Sequence, residues 1–127
     1  MSESVLAEWA NKPFEYGISD CCQFVGAVIE EMTGHNPAHQ FTYETEAQAY
    51  KLIGKYGTLD DLVTALFGEP IDPEDSQPGD ILSIDLGERT MLAVNISGLA
   101  VYKTPTGITD WGIESATKAW SIDPCRQ

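Results

Sequence analysis

The chain has 127 residues, 43% of them hydrophobic, and its 7 Lys+Arg against 20 Asp+Glu leave a formal net charge of −13. A charge this negative argues against nucleic acid as the main partner, because a surface that binds the phosphate backbone needs clustered Lys and Arg to release counterions. It equally disfavours an anionic membrane surface, while the length and the apolar content suit one folded domain with its own core.

Residues Met1 to Ala10 carry Glu3 and Glu8, no basic residue and no long apolar run, so they fit neither a secretory signal nor a transit peptide. No stretch approaches the ~20 apolar residues of a membrane helix. Synthesis in the cytoplasm and no membrane insertion are the resulting expectations. The first element in chain order is a short helix over Ser4 to Trp9, ending before Pro13. A turn over residues 14 to 19 leads to Asp20, an N-cap for a helix that Gly34 closes. Phe24, Val25, Val28, Ile29 and Met32 form one apolar face of that helix, with Cys21 near the middle of the stripe and Cys22 at its edge.

Two more helices are expected, one from about Glu44 to Tyr56 and one from Leu59 to Phe67 with Thr58 as its cap. Gly57 and Gly68 close them. The acidic, Pro-rich segment Glu69 to Gly79 reads as a loop. Beyond it the period changes: Ile81–Ile84, Met91–Ile96, Leu99–Tyr102 and Trp120–Ile122 are strand-like runs, and Asn95–Leu99 is a hairpin tip. The expectation is a single α+β domain over 1–127, with a helical part at 1–68, a linker at 69–79 and a β part at 80–123. In it, N-terminal helices pack on a small C-terminal antiparallel sheet or barrel.

The three cysteines, Cys21, Cys22 and Cys125, are odd in number and form no disulfide framework. No Cys-x-x-Cys or His-x-x-x-His spacing supplies a paired ligand set, so neither a metal nor a cofactor is expected. Cys21 stands in the first turn of the core helix, where backbone N–H groups and the macrodipole favour a thiolate. A small hydrophobe on a core face would occupy the same position with no chemistry at all. Cys22 reads as a packing residue, and Cys125 in the tail is uninformative.

The run Asp20-Cys21-Cys22-Gln23-Phe24-Val25, the closing Thr33-Gly34, and Gly79-Asp80-Ile81-Leu82 at the head of the sheet resemble the NlpC-type papain-fold cysteine peptidases. The order of Trp9, Tyr16-Gly17, Asp20-Cys21, Tyr43, Gly57, Gly79-Asp80 and Trp120 is similar to a small phage- and prophage-encoded branch found in tail gene clusters. The resemblance runs from Trp9 to Ile122. It implies a papain-like fold with Cys21 at the nucleophile position, paired with a His on the strand after the Gly-Asp motif.

That strand reads Arg89-Thr90-Met91-Leu92-Ala93-Val94-Asn95, with Met91, or Thr90 in a shifted register, where the resemblance implies His. The two histidines, His35 and His39, follow the far end of the helix; fourteen residues from Cys21 to His35 span about 21 Å at helical rise. Asp20 and the net charge oppose a thiolate. The resemblance and the missing base together lead to the expectation of a structural or assembly component of a phage tail tip or baseplate on a catalytically degenerate scaffold. Its partners would be other tail proteins, in multiple copies, with no nucleic acid; its final location would be the virion.

Two alternatives stay open. One is an active peptidase, amidase or acyltransferase on peptidoglycan, with Cys21 as nucleophile and Asp80, Asn95 or Asp110 as partner. The other is a host-takeover or inhibitor protein whose acidic surface mimics nucleic acid or binds a basic host factor. Trp111, read in a Gly-flanked loop, and Tyr43 are the candidate partner contacts, because Trp and Tyr dominate interface hot spots.

Overall fold

The computed structural model describes residues 3–87 and 89–122. Cys125 and the last residue of the expected β part, 123, lie outside the described residues. Among these residues four α-helices come first: α1 (Glu3–Ala10), α2 (Cys21–Thr33), α3 (Glu46–Gly54) and α4 (Leu59–Phe67). Five antiparallel strands follow: β1 (Ile81–Asp85), β2 (Thr90–Ile96), β3 (Leu99–Thr104), β4 (Gly107–Gly112) and β5 (Lys118–Trp120). The domain is α+β, as the change of sequence period predicts.

The helix ends follow from named residues. Asp20 caps α2, its carboxylate accepting the Gln23 N–H at 2.9 Å, and Gly34 ends the helix in the left-handed region at φ 83°. Thr58 and Asp61 form a reciprocal capping box at the head of α4. Thr45 caps α3, so that helix starts two residues later than the apolar pattern suggests. The Pro-rich linker is a loop carrying one short 3-10 turn over Pro73–Asp75.

The sheet runs β4-β3-β2-β1-β5 and is open, so the barrel alternative does not describe it. Ile71 extends the β5 edge by one bridge to Ala119. β4 corrects the reading of this region as a loop: Gly107–Gly112 pairs with β3 in register along its whole length, Ala100 opposite Trp111. The last strand lies at Lys118–Trp120, two residues before the expected run.

Both faces of the sheet are covered. Alternate residues Ile81, Leu92, Val94, Val101 and Trp120 meet Trp9 of α1, Phe24, Val25, Val28 and Ile29 of α2, and Val63 of α4. The intervening residues Leu82, Ile84, Met91, Ala93, Ala100, Tyr102 and Ala119 form a second cluster that includes Cys21. Lys103 is fully buried, and its Nζ donates to the backbone carbonyls of Lys12 at 2.7 Å and Thr104 at 3.0 Å.

Candidate functional site

Cys21 begins α2 and is 8% exposed, so its thiol turns inward to the sheet as the apolar stripe predicts. β2 explains what it meets. The Asn95 N–H bonds to the Asp80 carbonyl of the β1 side at 2.9 Å, and strand alternation then turns the Leu92 N–H the other way, toward β3. The β2–β3 pairing stops at Val94 opposite Val101, which leaves the Leu92 N–H to the head of α2, where it bonds to the Cys21 thiol.

The electrostatics of this thiol differ from the sequence expectation. A hydrogen bond from the neighbouring Cys22 thiol holds the Cys21 thiol below its ordinary value, against burial, with the Leu92 N–H and the Arg89 guanidinium acting in the same direction. Asp20 does oppose the thiolate, as expected, yet its charge is outweighed. Its carboxylate is engaged by three donors: the Gln23 N–H at 2.9 Å, the Gly17 N–H at 2.9 Å and the Tyr43 hydroxyl at 2.7 Å. Cys22 is pushed up, first by donating to Cys21 and then by burial. It is therefore the hydrogen-bond partner of Cys21, a role that the reading as a packing residue missed.

Met91 occupies the position where the resemblance implies a histidine; it is 5% exposed, and the cluster it packs in also contains Cys21. Among the described residues, the groups that act on the Cys21 thiol are Cys22, the Leu92 N–H, Asp20 and Arg89, none of them an imidazole. His35 follows the C-terminal cap of α2, and His39 lies in the short 3-10 turn Pro37–Gln40. Asp80 serves a turn: its carboxylate accepts the Gln77 N–H at 2.9 Å and the Ile122 N–H at 3.3 Å. Asn95 likewise shapes the β2–β3 hairpin by accepting the Gly98 N–H at 3.0 Å. Asp110 lies exposed on β4, opposite Val101.

The two candidate contact aromatics have separate settings. Trp111 is 40% exposed on the edge strand β4, its ring set edge-on against Tyr102 with centroids 5.9 Å apart. Tyr43 is half-buried and turns its hydroxyl inward to Asp20.

Beside the thiols lies a cavity of about 120 Å³ that the sequence does not reveal. Its walls come mainly from α2, α3, α4 and the start of β2, with Ile81 of β1 and the 3-10 turn at Pro37 and Ala38 adding to them, and Val25, Ile29, Ile53, Leu62 and Phe67 are among the apolar residues. Tyr16, Tyr50 and Arg89 belong to the same lining. Among the described residues no three His, Cys, Asp or Glu side chains converge in a way that would hold a metal ion. No helix of the described residues is long and apolar enough to cross a membrane.

Residues 2–122 match the family described as a domain of unknown function (DUF6950), and the chain belongs to that family. A comparison with curated proteins gives no match.

Proposed function

We propose that this member of the family is a papain-like, NlpC-type scaffold that has kept the nucleophile position and lost the base, and that it serves as a structural or assembly component of a phage or prophage tail. The observation that carries this reading is Met91, a buried thioether that can neither accept nor release a proton, at the position expected to hold the histidine. A Cys–His hydrolase needs the imidazole twice, to take the thiol proton and to protonate the leaving amine. Here the Cys22 thiol, the Leu92 N–H and the Arg89 cation hold the thiol below its ordinary value against burial and Asp20, while the second role has no occupant among the described residues. The acidic surface fits docking onto other proteins of a particle, with exposed Trp111 on the edge strand as one contact.

One observation favours a second reading, an active peptidase or amidase on peptidoglycan. A thiol held below its ordinary value is already a partly activated nucleophile. Two assays separate the readings. For the structural component, the protein sediments with purified virions, and peptidoglycan fragments and small acyl esters stay intact. Turnover that disappears in Cys21→Ala, together with absence from particles, would establish the enzyme instead.

A further inference from the structure

The cavity beside α2 combines an apolar interior with a cation on its lining, and that combination defines a ligand chemistry. Val25, Ile29, Leu62 and Phe67 are among the residues that give the interior its apolar walls; Arg89 belongs to the same boundary, as does Asp20, whose carboxylate is already engaged by three donors of the protein. The side chain of Arg89 is exposed and hydrogen-bonds to the Tyr16 hydroxyl, with Tyr50 and Cys21 as its other electrostatic neighbours. In a chain with 20 Asp+Glu, the ion pairs among the described residues are Lys12–Glu8 and Lys118–Asp60, and Arg89 is in neither. A bidentate anion on its guanidinium would therefore displace no carboxylate of the described residues from an ion pair.

We infer that this cavity is a binding site for a small monocarboxylate, whose carboxylate pairs with the Arg89 guanidinium and whose short aliphatic or single-ring body fills the space between α2, α3 and α4. The size sets the class. A dry cavity of roughly 150 Å³ lined by aliphatic and aromatic side chains holds one benzene ring, so about 120 Å³ has room for a chain of a few carbons or one ring. The wall on the α3 side is suited to admit it. None of the residues of α3 is buried, yet Ala49, Tyr50, Leu52 and Ile53 all face the cavity. An occupant would supply the apolar contact that this helix lacks. The site needs no reaction at Cys21 and is independent of the structural role proposed above.

Titration of the ¹⁵N-labelled protein with hexanoate, with hexanol as the uncharged control, tests the site. Hexanoate should move the amide resonances of Leu92, Cys21 and α3 with a dissociation constant of about 1 mM or tighter. Arg89→Gln should weaken it by about tenfold or more, since it removes the charge-assisted pair, and hexanol should bind at least as weakly as hexanoate binds that variant. Ala49→Phe, which fills the cavity from α3, should abolish binding while the spectrum remains that of a folded protein. Equal affinity in Arg89→Gln, equal affinity for hexanol, undiminished binding in Ala49→Phe, or no resonance shift at about 10 mM hexanoate would each overturn the inference.

Discussion

The Tyr43 hydroxyl donates to the Asp20 carboxylate at 2.7 Å, across 23 residues of sequence, and so ties the segment before α3 to the N-cap of α2. Asp20 thereby holds three partners around one carboxylate, and the head of the helix that carries Cys21 is fixed from outside as well as from within.

Tyr43→Phe should cost about 1 kcal/mol, the net worth of one such hydrogen bond, measured by urea denaturation at pH 7. Burial, ahead of the neighbouring acidic groups, raises the Tyr43 hydroxyl above its ordinary value. A raised folded-state value means a contribution fully present below about pH 10 and lost as pH climbs from there through the folded value. The wild-type protein should therefore lose stability faster than Tyr43→Phe above about pH 10, and parallel curves would refute this assignment.

Gly17 lies at φ 83°, and a Cβ built on it would sit 1.8 Å from the Tyr43 carbonyl oxygen. Both the left-handed backbone and the close approach require glycine at this position. Gly17→Ala should destabilise by more than about 2 kcal/mol, seen as a lowered melting temperature. A change within about 0.5 kcal/mol would mean that the 13–19 turn is free to move away from residue 43.

Trp120 is fully buried, and its Nε1 donates to Thr64 Oγ1 at 3.1 Å, joining β5 to α4. Trp120→Ala should cost about 3–5 kcal/mol from lost burial and the cavity left behind. Thr64→Val, which keeps the volume and strands the indole N–H, should cost about 1–3 kcal/mol. Denaturant midpoints check both, and a larger loss in Thr64→Val than in Trp120→Ala would reverse this account of the contact.

Cys22→Ala removes the largest influence holding the Cys21 thiol down and leaves burial and Asp20 acting against the thiolate. The midpoint of Cys21 alkylation should move to higher pH. An unchanged midpoint would show that the Leu92 N–H and Arg89 suffice.

How much could be read in advance follows from where each signal resides. The core helix was legible because Asp20, the apolar stripe and Gly34 all fall within it. β4 was not: Gly-Ile-Thr-Asp-Trp-Gly is an edge strand with Asp110 and Trp111 exposed, and it lacks the apolar alternation of a buried strand. The position of Cys21 and its inward direction were legible from the same stripe. Its electrostatics were not: adjacency alone does not show that the Cys22 thiol, the largest influence, turns to Cys21, and the Leu92 N–H and Arg89 act on it only once β2 and the residue before it are placed against α2. The cavity was hidden for the same reason, being assembled from helices, a 3-10 turn and the sheet, which no local pattern connects.

The central claim is that Cys21 has no base beside it, and the pH profile of its alkylation by iodoacetamide, located by peptide fragmentation, tests it most directly. The account predicts a single inflection, below the ordinary thiol value, with slow labelling at pH 7 because the side chain is 8% exposed. A second inflection in the imidazole range near pH 6–7, accompanied by rapid labelling and hydrolysis that vanishes in Cys21→Ala, would contradict it.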